Sequence, residues 1–475
     1  MTPEGQTVAF ASVPVSRGYP SPGWVEQDPL ELWQSVLQAV GRLPRVAISC
    51  VAVANQRESV LVWDRRTGAP LTPCASWQCS RGAPLCSELR AKGLEPLVTD
   101  LTGLPLDPMF SASKLQKLLD DDNALRRSAE RGEVCAGTVD SWLAWNLSGG
   151  SLHVTDAGNA SRTLLFDIHR LNWSEELLEI FGIPGGFLPT VVASSGVLGE
   201  TVAQGPVPAA PIAALAADSH AALFGLGCLR PGTAKATFGT GTSLASPTAG
   251  DLRRSRAGLA TSVAWLAGSP AYVLEGNVYS SGATVEWLAQ LLGVDGAAAV
   301  EQLAGTATDA GGTHIVPGFA GLGAPYWQPG SRGAITGLTF GTGRAQLARA
   351  AVESIAFQVA DLFAALEADV GAPIAELRVD GGATGNDVLM QLQADLLGRP
   401  VLRSRAPDAA ALGAAFLGGL AVGVFQDEEL IVQLAGLGER IEPRMPSEQR
   451  DKLLGPWHEA LSRVTGPGAV EGLAL

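Results

Sequence analysis

Short runs of nearly continuous apolar residues alternate along the chain with segments whose apolar positions recur every three or four residues. Runs of the first kind read as buried strands and segments of the second as helices laid on them, so the pattern predicts an α/β protein. Asp28-Pro29-Leu30-Glu31 predicts a helix start, with a capping aspartate, a proline in the first turn and a glutamate spaced for a capping box. Leu30, Trp33, Leu37 and Val40 then share one face. Residues 46–53 form an apolar run that predicts a strand, followed by Asn55-Gln56-Arg57-Glu58. Residues 61–63 and 69–71 bracket a predicted turn at 64–68. Residues 211–215 predict a buried strand that runs through Ala216 and Ala217 into Asp218, where a helix to Gly225 would begin.

Further on, residues 234–238 predict a strand entering Gly239-Thr240-Gly241, after which the chain re-emerges as another short strand. Residues 352–368 predict an amphipathic helix. Leu377-Arg378-Val379 predicts a strand that ends in Asp380-Gly381-Gly382, with Asn386 opening the next helix. The run 409–425 is rich in Gly and Ala and falls short of the roughly 20 strongly apolar residues of a membrane span. It reads as a buried helix packed closely on a sheet. Pro3-Glu4-Gly5-Gln6 reads as a hairpin turn and residues 7–15 as the strand leaving it, with nothing before the turn to pair with that strand. A domain boundary is expected in the Gly-rich stretch 225–232, separating residues 1–226 from 227–475.

Composition narrows the function. The chain has 475 residues, is 46% hydrophobic and 17% charged, and carries a net charge of −14. This is a folded, acidic protein, which argues against nucleic acid as a partner and against membrane insertion. An anionic substrate must then be held by local backbone dipoles and a divalent cation. The six cysteines match no zinc spacing and read as reduced thiols of a cytoplasmic enzyme. No charged and apolar leader pattern opens the sequence.

The candidate chemistry lies at strand ends. Asp218 is a carboxylate placed where a strand becomes a helix, beside fixed N–H dipoles. Gly239-Thr240-Gly241 lets backbone N–H groups approach an anion without a Cβ in the way. Together they suggest a base that deprotonates a hydroxyl and a loop that holds the phosphate it attacks. Arg57 and Glu58 are either a surface ion pair or a donor and an acceptor for neighbouring hydroxyls. Trp77 is either core or an aromatic wall for a carbon skeleton. His220 reads as structural, pointing away from Asp218, and Asp140 and Asp156 receive no chemistry. No lysine follows a glycine and no GxGxxG occurs, so P-loop, Rossmann and protein-kinase readings lose support.

These residues resemble those of the glycerol kinases, in the FGGY family of carbohydrate kinases. The resemblance rests on Asn55-Gln56-Arg57-Glu58, Trp77-Gln78-Cys79, Ala217-Asp218, Phe238-Gly239-Thr240-Gly241 and Val379-Asp380-Gly381-Gly382. Gly321-Leu322-Gly323-Ala324-Pro325-Tyr326-Trp327 is especially specific, and residues 333–353 resemble the second signature of the family. The resemblance implies an actin-like ATPase fold, with ribonuclease H-like duplicated domains and an interdomain cleft. It implies transfer of the ATP γ-phosphoryl group to a polyol hydroxyl, most simply glycerol, with Mg2+. It makes Asp218 the general base and places Arg57, Glu58, Trp77, Met109, Asp218 and Ser219 on the polyol. It places Gly239, Thr240, Gly241, Gly282, Glu286, Gly382 and Asn386 on the nucleotide, and leaves a homo-oligomer open. Met109, Ser219, Ser243, Glu286 and Lys117 depart from the family's usual tyrosine, glutamine, aromatic residue, glutamine and tryptophan. An Asp-x-Gly-Thr phosphate loop that opens the family's chains is missing here. A kinase for another polyol or sugar, or a catalytically impaired relative acting by binding, stays open on those grounds.

Overall fold

In a computed structural model, which describes residues 1–248, 250, 252–328 and 330–465, the first helix is Pro29–Gly41 and starts as expected. Asp28 accepts a hydrogen bond from the Leu30 N–H, and Pro29 takes the first helical position. Glu31 does not close a capping box. Its carboxylate accepts instead from the Ser16 N–H at 2.9 Å, while Arg42 donates to the Ser12 carbonyl. Those two bonds tie Ser12 and Ser16 to the two ends of the helix. The turn at the start forms, with the Thr2 N–H donating to the Gln6 carbonyl. The expected strand 7–15 does not, because among the described residues no ladder partner lies beside it, and Val8 and Phe10 are exposed. Leu30 also turns outward, so the buried face is carried by Trp33.

The strand expected at 46–53 is shifted to Val51–Asn55. Its partner is Pro211–Ala217, parallel, beginning with Val51 opposite Ile212. That partner starts at Pro211, so residues 46–50 have no ladder to join. The hairpin at 64–68 closes as expected, with the Gly68 N–H donating to the Asp64 carbonyl. Helix Ala409–Ala421 covers this sheet. Its Gly413 lies against the Ala221 carbonyl of helix Asp218–Gly225, and Gly418 lies over Ala52. Any side chain at Gly413 would separate the two helices, which explains the small-residue composition of the run. No helix among the described residues is long and apolar enough to cross a membrane.

Two compact units result. The first comprises Met1–Gly227, Thr261–Tyr272 and Ala409–Ala435; the second comprises Cys228–Ala260, Val273–Asp408 and the chain from Gly436. In the second unit, neighbouring strands run Thr242–Pro247, Thr233–Phe238, Glu376–Asp380, Val401–Ser404 and Leu437–Ile441. Strands Thr233–Phe238 and Glu376–Asp380 are parallel, with Thr237 opposite Asp380. The helix expected at 352–368 extends over Arg344–Val370 and is buried around most of its circumference rather than on one face. Its many alanines let neighbours approach on several sides.

Candidate active site

In the first unit, the chain leaves strand Val51–Asn55 and places Glu58 at φ +60°, a left-handed conformation uncommon outside glycine. Local bonds hold it there. The Ser59 N–H donates to the Arg57 carbonyl, the Ser111 hydroxyl to the Glu58 carbonyl at 3.0 Å, and Arg162 Nε to Glu58 Oε1 at 2.7 Å. Arg57 Nε lies 3.7 Å from both Glu58 Oε1 and Asp218 Oδ1. The Arg57 and Glu58 side chains are only 6% and 5% exposed, whereas that of Asp218 is 48% exposed. A buried donor and acceptor thus stand beside a carboxylate open to a ligand. Asp218 is the first residue of its helix and accepts from the Ser219 N–H at 2.6 Å. Its charge therefore faces the positive end of a helix dipole.

Trp77 is half-buried and anchored by its N–H on the Ser59 hydroxyl. Met109 is buried, with its N–H on Asp107. Two residues at this site had no role in the sequence reading. His220, expected to face away, is buried with Nε2 at 3.2 Å from Arg57 Nη1. Arginine only donates, so Nε2 accepts. Arg162 is the second.

The position of Arg162 follows from the two aspartates that received no chemistry. Asp156 caps the short helix Ala157–Ala160, accepting from the Gly158 and Asn159 N–H groups. Asn159 pairs amide to amide with Asn55, at 2.9 and 3.0 Å. The same cap therefore fixes both Asn55, two residues before Arg57, and Arg162. Burial, then the neighbouring Asp140, pushes Asp156 up from 3.8 to about 6. A carboxyl whose folded value lies above its unfolded value stabilises the fold at low pH, and that contribution is lost as pH rises through about 6. Asp156→Asn is expected to flatten the stability profile by roughly 3 kcal/mol between about pH 4 and 7. Denaturant unfolding at stepped pH checks this, and parallel profiles for the two proteins would refute it.

The second unit holds the glycine turns. Strands Thr233–Phe238 and Thr242–Pro247 pair Phe238 with Thr242, leaving residues 239–241 as the turn. The Gly239 carbonyl accepts from the Gly282 N–H and the Thr240 carbonyl from the Ala283 N–H, so the turn sits on the start of helix Gly282–Leu292. A Cβ at Gly282 would stand 2.7 Å from the Gly239 carbonyl oxygen. Gly381, at φ +97°, follows strand Glu376–Asp380 and lies against the Phe238 backbone. Asn386 then caps helix Asp387–Leu397 by accepting from the Leu389 N–H at 3.0 Å. Gly239, Thr240, Gly282, Glu286, Gly382 and Asn386 line one cavity of about 550 Å³ whose walls also include Val285, Trp287 and Ile355. Gly241 is absent from that lining and instead packs against the Val278 carbonyl. The size and the mixed walls suit a nucleotide.

Comparison with known proteins shows the family. The N-terminal domain pattern of the FGGY family of carbohydrate kinases matches residues 1–225, and its C-terminal domain pattern matches residues 234–422. The chain belongs to the FGGY family of carbohydrate kinases. It is 45% identical over 471 residues to glycerol kinase 2 of Thermotoga maritima, covering 98% of this chain and 95% of the relative. It is 48% identical over 476 residues to a glycerol kinase of Citrifermentans bemidjiense, covering 97% and 95%. A crystal structure of Plasmodium falciparum glycerol kinase with ADP superposes with a TM-score of 0.89 at 30% identity, covering 97% and 94%. The resemblance read from the motifs is therefore correct, and the fold is the two-domain, actin-like ATPase fold of FGGY kinases.

Proposed function

We propose that this protein is an ATP-dependent glycerol kinase that forms glycerol 3-phosphate. The observation that carries the reading is Arg57, held 3.7 Å from both Glu58 and Asp218, with Asp218 alone of the three substantially exposed. Arg57 donates to, and Glu58 accepts from, neighbouring hydroxyls, while Trp77 and Met109 flank the carbon chain. Asp218 takes the proton of the terminal hydroxyl as its oxygen bonds to the γ-phosphorus. The bond from that phosphorus to the bridging oxygen breaks, and ADP keeps the electron pair. Ser219 supports the base through its N–H. Residues 1–226 form the polyol half on this reading, together with the returning segments of their unit, and residues 227–475 form the nucleotide half. Gly239, Thr240, Gly282, Glu286, Gly382 and Asn386 cradle the nucleotide, with Gly241 shaping the turn.

Magnesium is part of the proposal. Among the described residues no three His, Cys, Asp or Glu side chains gather into a metal cage. A cation carried mainly by the ATP phosphates and waters asks only one or two carboxylates of the protein. Bound there, it would neutralise phosphate charge. A cytoplasmic location is proposed from the six free cysteines, five of them buried.

The test is ATP turnover with a panel of polyols and sugars, with the product identified by phosphorus NMR. Glycerol is expected to give the highest kcat/KM. No turnover with any acceptor would leave only a binding or regulatory role. A different best acceptor would assign the smaller Met109 and Ser219 walls to another polyol. In that case Met109→Tyr with Ser219→Gln is expected to raise glycerol kcat/KM by about 10-fold, and an unchanged ratio would discard pocket shape as the cause.

A further inference from the structure

Lys114, on helix Ser111–Asp121, is fully buried. Its ammonium donates to two backbone carbonyls, Met109 at 2.6 Å and Ser76 at 3.1 Å. Ser76 immediately precedes Trp77, so the two carbonyls belong to the two wall-bearing segments. They reach the helix from separate parts of the chain, one after strand Cys74–Ala75 and the other just before the helix begins. Ser111, one turn before Lys114, holds the Glu58 carbonyl. A single helical turn thus gathers Glu58, Trp77 and Met109.

Burial makes the charge expensive. It pulls the ammonium down from 10.5 to about 8, against the raising fields of Glu58, Cys79, Cys74 and Asp107. Because the folded value lies below the unfolded one, the charged form opposes folding. An apolar side chain of similar length would avoid that desolvation cost. What the ammonium supplies that methionine cannot is a donor able to serve two carbonyls at once.

We infer that Lys114 is a positioning residue for the polyol pocket, setting the separation of its Trp77 and Met109 walls by binding both of their backbone segments. The inference rests on the glycerol kinase reading. It also explains how Met109, a flexible side chain, is used as a wall: its backbone is clamped even though its side chain can adapt.

Steady-state kinetics of the full-length Lys114→Met enzyme provide the test. The expected result is a glycerol KM raised about 10-fold or more, with the ATP KM within about two-fold of native and kcat largely kept. A residue that only supported folding would lower the yield of active enzyme and leave both KM values unchanged. Glycerol and ATP KM values both within about two-fold of native would overturn the inference. So would a fall in kcat without a rise in glycerol KM. Lys114→Gln retains one donor, and its glycerol KM is expected between those of native and Lys114→Met. If Lys114→Met does not fold, Lys114→Gln decides by the same criterion. Failure of the glycerol reading itself would be seen separately, as absent turnover of glycerol by the native protein. The KM of whichever acceptor the panel identifies then tests Lys114 in the same way.

Discussion

Asp218→Asn is expected to lower phosphorylation of glycerol by about 10²–10⁴-fold while leaving ATP binding within about two-fold of native. The amide has the shape of the carboxylate and can still accept from the Ser219 N–H, so the helix start should stand. What it loses is basicity, together with the charge that faces Arg57 at 3.7 Å. The cavity proposed to hold the nucleotide is lined only by residues between 238 and 389 of the other unit, so ATP affinity has no reason to change. Kinetics and equilibrium titration with ATP check the two halves of this statement separately. Retained turnover would show that Asp218 is not the base. A joint loss of turnover and ATP binding would show instead that the substitution disturbs more than the proton transfer.

The residues proposed to carry chemistry stand out in the sequence where strand ends meet glycines or helix caps. Asp218 stands out because a seven-residue buried strand, Pro211–Ala217, leads directly into it. Gly239, Gly381 and Asn386 stand out because a turn or a cap needs those residue types. Arg162, His220 and Lys114 were not legible in this way. Each lies inside a helical or turn segment, and each acts through a contact distant in sequence, such as Arg162 with Glu58 across 104 residues. Spacing along the chain says nothing of such contacts. A weak signal existed for Lys114: Phe110 and Leu118 lie one turn to either side of it, and both are buried. The edges of elements failed for a different reason. Apolar runs 7–15 and 46–50 have strand-like composition, but a strand exists only where a neighbour completes its ladder. Composition cannot report a neighbour. The long helix Arg344–Val370 was underestimated because its alanines weaken the contrast between faces on which a periodicity reading depends.

Arg162→Met is expected to destabilise the first unit by about 3–5 kcal/mol. The guanidinium is 1% exposed and sits 4.9 Å over the Phe110 ring. It donates to Glu58 at 2.7 Å and to the Ser262 hydroxyl at 3.0 Å. Methionine can keep part of the contact with Phe110, but it leaves the buried Glu58 carboxylate facing Arg57 at 3.7 Å without the closer guanidinium. The loss comes chiefly from that under-compensated charge, not from the attraction itself. Adding Glu58→Gln to Arg162→Met should therefore recover a large part of the stability, because the stranded charge is gone. It should not recover glycerol binding, because the acceptor for a hydroxyl has been weakened. Denaturant unfolding followed by tryptophan fluorescence, together with glycerol KM for the two single variants and the double, completes the cycle. Equal stability losses for Arg162→Met and the double variant would mean that Arg162 acts by packing alone. An unchanged glycerol KM in all three would remove Glu58 from the binding site and, with it, the account of how Arg57 and Asp218 meet a substrate.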